Sequence, residues 1–168
     1  WLPYRVSAGY TNQQGIIKTS NFERFTGALT LNPSLLNDHL KVTLNAKGMW
    51  TKNRYADGEA IKAARQFDPT QPVRANGFDN FGGYYQWLDI GTALNDPTWP
   101  QTYYSLATKN PVSILNLKND RAISRDFLGS ADVDYKVHGF EDLRLHVTAG
   151  IDIAKGRQDT DVDPASPQ

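Results

Sequence analysis

The chain has 168 residues with 18 basic and 18 acidic side chains, so its formal charge is zero, and it holds no Cys. Zero net charge removes the electrostatic reason to expect nucleic acid, which asks for a clear basic excess, and the missing Cys excludes disulfides and thiolate metal sites. One ordinary domain fits this length, and no apolar run approaches the ~18 residues of a transmembrane helix. The first residue is Trp1 and no signal-type segment follows it, so a processed product or a piece of a longer chain is expected.

Period-two alternation dominates the chain, as in strands whose faces meet different environments. Tyr4, Val6, Ala8 and Tyr10 alternate with Arg5, Ser7, Gly9 and Thr11 in a first predicted strand, 4–11. In the second, 24–31, Phe25, Gly27, Leu29 and Leu31 oppose Arg24, Thr26, Ala28 and Thr30. The third, 40–50, sets Leu40, Val42, Leu44, Ala46, Gly48 and Trp50 against Lys41, Thr43, Asn45, Lys47 and Met49. A fourth, 127–137, carries Phe127, Gly129, Ala131, Val133, Tyr135 and Val137 on one face and Ser130, Asp132, Asp134 and Lys136 on the other. The fifth, 143–153, sets Leu143, Leu145, Val147, Ala149, Ile151 and Ile153 against Arg144, His146, Thr148, Gly150 and Asp152.

The connections alternate between brief and long. Residues 12–21 form a moderate loop, 32–39 a short one with Pro33, and 138–142 a tight turn with Gly139. Between the third and fourth strands, residues 53–119 form a connection far beyond the ~12–15 residues at which loops are usually functional. Within it, 58–67 reads as a short helix, with Asp57 as its N-cap and Asp68-Pro69 as its stop. Residues 157–168 read as a polar, mobile tail or the start of a further loop.

Length separates a membrane wall from a soluble sheet. The third strand would span about 36 Å at ~3.3 Å per residue and, tilted ~45°, would rise roughly 26 Å. That matches the ~25 Å apolar band of an outer-membrane barrel, and aromatic residues near strand ends (Tyr4, Tyr10, Phe25, Trp50, Phe127, Tyr135) suit the lipid headgroup level. The predicted fold is therefore all-β: an antiparallel transmembrane β-barrel segment of about five strands, residues 1–156, with one long extracellular loop containing a short helix. Five strands cannot close such a barrel, whose smallest common form has about eight, so a slice of a larger wall is expected. The rival is a soluble β-sandwich carbohydrate-binding module.

Particular wording points the same way. Pro3-Tyr4-Arg5-Val6-Ser7-Ala8-Gly9-Tyr10-Thr11, then 15–24 (GIIKTSNFER) and 39–42 (HLKV), resemble the barrel of SusC-like (RagA-type) TonB-dependent outer-membrane transporters. So do 67–73 (FDPTQPV), Asn110-Pro111 and the 135–139 (YKVHG) turn, and the resemblance runs to about Ile153. It implies import of oligosaccharides or peptides across the outer membrane, a SusD-like surface lipoprotein as partner, and energy from TonB through a plug that these residues do not include. Neither a cofactor nor a metal is implied.

No nucleophile elbow, paired zinc-binding His motif or phosphate-cradling Gly loop occurs, and His39, His138 and His146 are scattered, so no catalytic residue is assigned. Recognition falls instead on the long loop, where Phe78, Phe81, Tyr84, Tyr85, Trp87, Trp99, Tyr103 and Tyr104 crowd among Asn, Gln and Asp residues. Flat rings beside a few polar groups suit a sugar, a peptide or a lid protein. The alternative is that the rings are the loop's own small core, since a loop this long must bury something to stay ordered.

Overall fold

The computed structural model describes residues 2–89, 102–140 and 142–167. The chain is mostly β. Strands β1 (Tyr4–Gln14), β2 (Asn21–Leu31), β3 (Ser34–Leu35), β4 (Leu40–Tyr55), β5 (Lys118–Lys136) and β6 (Arg144–Val162) form one sheet in the order β1-β2-β4-β5-β6, with the two-residue β3 paired to β4. Among the described residues between β4 and β5 are two short helices, α1 (Glu59–Gln66) and α2 (Pro111–Leu117), and a 3₁₀ turn at Asp79–Phe81. The sheet is open, with β1 and β6 as its edges.

All five alternating stretches fall in strands, with Val137 and Leu143 one residue beyond the ends of β5 and β6, and the β1–β2 register explains why the pattern is so clean. Antiparallel pairing sets Tyr4 opposite Leu31, Val6 opposite Leu29, Ala8 opposite Gly27 and Tyr10 opposite Phe25. Opposed residues share a face, so each apolar side chain meets another and the polar set (Arg5, Ser7, Thr26, Thr30) collects on the reverse.

Three expectations need correction. The strands run well past their alternating cores: β4 continues to Tyr55, β5 begins at Lys118 and β6 ends at Val162. Alternation fades in these extensions because polar side chains predominate on both faces, but backbone pairing does not depend on side-chain polarity. The expected 53–119 connection therefore shrinks to 56–117, and the expected mobile tail is strand as far as Val162. The helix α2 was also absent from the sequence reading. Asn110 is its N-cap, accepting hydrogen bonds from the Val112 and Ser113 amides, and Pro111 fills the first turn, where its missing N–H is not needed.

The chain divides into two compact units, a sheet unit (1–14, 21–53, 122–158) and a loop unit (15–20, 54–121, 159–168). In the sheet unit the apolar face is uncovered. Tyr4, Val6, Phe25, Leu29, Leu44, Phe127, Leu145 and Ile151 are all exposed, Val6 at 67% and Val147 at 51%. The opposite face carries a cross-strand hydrogen-bond ladder: Thr30 Oγ1 donates to Asn45 Oδ1 at 3.0 Å, and Asn45 Nδ2 donates to Ser130 Oγ at 3.2 Å. Farther along it, Thr148 Oγ1 donates to Asp132 at 2.8 Å, and His146 Nδ1 lies 3.8 Å from Asp134. Gly129 sits on the apolar face where a Cβ would stand 3.1 Å from Ile151 and 3.3 Å from the Phe127 ring, so its missing side chain makes room for both.

Candidate functional site

The loop unit builds its order from two sources. Ala60 and Ala63 of α1 pack against Ile114 of α2, with Leu115 beside them. The helix α1 starts where Asp57 accepts the Glu59 amide at 2.8 Å, one residue before the N-cap position, which Gly58 holds, and it ends before the expected Asp68-Pro69 stop. The second source is polar. Gln86, fully buried, donates from Nε2 to Ser113 Oγ at 3.0 Å and accepts the Asn110 amide at 3.1 Å. Asn110, also buried, donates from Nδ2 to the carbonyls of Val73 (2.9 Å) and Tyr85 (3.1 Å) while its Oδ1 caps α2. Every hydrogen-bonding atom of the two amide side chains is thus engaged, the condition under which burying them is tolerable.

This frame sorts the predicted rings. Phe81 and Tyr84 are buried, at 6% and 3% exposure, and serve as loop core. The Arg74 guanidinium lies 4.5 Å from the Tyr84 ring centroid and donates to its hydroxyl at 2.9 Å, and Asn116 donates to the same hydroxyl at 2.7 Å. The positive φ of Gly82 (63°) and Gly83 (76°) turns the chain between Phe81 and Tyr84, a conformation glycine adopts without the Cβ penalty. Phe78 and Tyr85 are half-buried and lie 5.2 Å apart, with Phe67 edge-on to Tyr85 at 6.4 Å. Trp87 closes the series, edge-on to Tyr85 at 5.6 Å and 36% exposed. Tyr103 is half-buried with the Lys109 ammonium 5.6 Å from its centroid, and Tyr104 is 45% exposed. Trp99 lies outside the described residues.

Electrostatics reinforce the same segment. Asp68 accepts both the amide (2.9 Å) and the hydroxyl (2.7 Å) of Thr70, and these bonds hold its carboxyl below the usual carboxylate range. Burial, and then the Asp68 charge, push the Tyr85 phenol above its ordinary value, so it stays neutral near pH 7. Elsewhere in this unit Lys118 pairs with Asp57 at 2.7 Å, and both line a cleft of about 450 Å³ together with Glu59, Lys62 and Lys109. Among the described residues no group of three or more His, Asp or Glu is placed to hold a metal ion. Gln86 and Asn110 escaped the sequence reading because a polar residue in a loop reads as solvated; the Asn110-Pro111 cap signal was the one available clue.

No family model matches the chain. It is, however, 51% identical over 98% of its length to the TonB-dependent receptor SusC of Bacteroides thetaiotaomicron, of which it spans 17%. The resemblance read from the strand wording thus holds across almost the whole chain, and the relative is a receptor, in keeping with the expectation that no enzyme is present. By sequence the chain corresponds to a segment of a SusC-type TonB-dependent receptor.

Proposed function

We infer that the chain is part of the barrel wall of an outer-membrane TonB-dependent importer. The observation that carries this is the two-sidedness of the sheet unit: an apolar face left exposed along every long strand, backed by a polar face knit by hydrogen bonds. In water such an apolar face would be covered, as in a sandwich whose two sheets bury their inner faces. The exposed apolar side chains along this face support lipid as its cover. The polar face then lines the lumen, and the open edges at β1 and β6 pair with further strands of the same wall. The long strands exceed the ~25 Å apolar band, so their polar ends continue the wall beyond it.

In this reading the β4–β5 connection is extracellular, as the long loops of such barrels are. The whole protein imports glycans or peptides, with a SusD-like surface lipoprotein and TonB as its partners. Trp87, Tyr103 and Tyr104 are the loop rings left to meet ligand or lid, while Phe81 and Tyr84 hold the loop together. Fractionation of the full-length protein tests the assignment. A heat-modifiable, detergent-requiring protein in the outer-membrane fraction supports it, and a soluble, monodisperse monomer contradicts it.

A further inference from the structure

Within the loop unit, residues 87–89 and 102–104 pair as a short antiparallel ribbon. Leu88 bridges Tyr103, the Tyr104 amide donates to the Trp87 carbonyl at 2.6 Å, and the Asp89 amide donates to the Thr102 carbonyl at 3.1 Å. Residues opposite one another share a face and neighbours alternate. Trp87, Asp89, Thr102 and Tyr104 therefore stand on one face of the ribbon, and Leu88 and Tyr103 on the other. All four are exposed. The pairing thus gathers two flat rings, a carboxylate and a hydroxyl onto one small surface that sequence spacing alone does not bring together.

We propose that this face is a subsite for a pyranose unit of a neutral oligosaccharide, an inference that rests on the importer reading above. The apolar C–H face of a sugar matches an aromatic ring, and its ring hydroxyls donate to a carboxylate such as Asp89. Thr102 both donates and accepts, which suits a polyol better than a cationic side chain, whose donors would use Asp89 alone. The Trp87 ring is also held before any ligand arrives. Trp87 stands edge-on against Tyr85, which Phe78 flanks in turn, so little side-chain freedom is lost on binding.

The test is calorimetric titration of the full-length receptor in detergent with gluco-, manno- and xylo-hexaose and an uncharged hexapeptide. At least one hexaose should bind, with affinity falling about tenfold in Trp87→Ala and in Tyr104→Ala and about threefold in Asp89→Asn. Trp87→Phe should keep most of the affinity and Leu106→Ala all of it, with heat-modifiable migration certifying that each variant is folded. The proposal is overturned if no hexaose binds the unmodified receptor, if hexaose binding is indifferent to all three losses, or if the rings serve hexapeptide capture instead. Failure of the importer reading looks different: the protein would be missing from the outer-membrane fraction whatever it binds.

Discussion

The two units of this chain solve burial in opposite ways. The sheet unit leaves Val6, Phe25, Leu44, Val147 and Ile151 in the open, whereas the loop unit buries Ala60, Ala63, Phe81, Tyr84 and Ile114 together with the polar Gln86, Asn110 and Ser113. Apolar side chains uncovered on one face need an apolar surrounding to be stable, while a loop that must stand in water needs a core of its own. The loop achieves this with few aliphatic groups because its buried amides replace backbone partners that a sheet would have supplied. On the importer reading, the sheet unit presents a surface made for lipid and the loop unit is a small domain-like insertion made for water.

The contrast is broken most forcefully on the sheet. Leu44 lies on the exposed apolar face and Thr43 on the opposite one, so Leu44→Arg in the full-length receptor should destabilise it by about 2–4 kcal/mol near mid-bilayer, with Thr43→Arg mild. Denaturant unfolding in lipid reads the difference, and equal effects would count against the assignment of β4. A second, smaller effect belongs to the loop. Asn110→Ala removes the cap of α2 and the bonds to the Val73 and Tyr85 carbonyls, and should loosen the insertion by about 1–3 kcal/mol. Limited proteolysis should then cut between β4 and β5 while the wall stays heat-modifiable.

Smaller again is Tyr84→Phe, which strips Arg74 and Asn116 of a shared acceptor at a cost of about 0.5–1.5 kcal/mol, visible as faster amide exchange around Tyr84. The least effect concerns Asp68, a partly exposed carboxylate whose folded pKa is depressed by its bonds to Thr70. A depressed folded value means that its stabilisation is complete above the ordinary carboxylate range and is lost as pH falls through the lowered folded value. Thr70→Ala removes the hydroxyl bond but keeps the larger cause, the residue-70 amide bond, so the Asp68 titration, read from its carboxyl ¹³C shift, should move only part of the way up toward that ordinary range; an unmoved titration would mean that the hydroxyl does not contribute.

How much of this was legible in the sequence follows the same division. Leu40 to Trp50 announced a strand because its alternate residues are apolar and polar, as two faces in different surroundings demand. Thr51 to Tyr55, Lys118 to Asp126 and Ala154 to Val162 belong to the same strands but were silent, since outside the apolar band no such demand writes itself into the side chains. In the loop, the rings could be listed but not sorted: Tyr84 and Tyr85 are adjacent and chemically identical, yet one is core and the other half-buried. The Gly82-Gly83 turn and the contacts of Arg74 and Asn116 with Tyr84 set them apart. The Trp87–Tyr104 pairing was likewise hidden, because it joins residues well apart in the sequence of the loop.

The central claim is that alternate residues of each long strand face lipid and lumen. Single nitroxide labels at residues 43 to 46 and 145 to 148 of the full-length receptor, introduced by cysteine substitution in native-composition bilayers, measure it directly through collision rates with oxygen and with a water-soluble nickel chelate. Labels at 44, 46, 145 and 147 should be oxygen-accessible and shielded from nickel, with those at 43, 45, 146 and 148 reversed. Absence of that period of two, or nickel access greatest at Leu44 and Val147, would contradict the account.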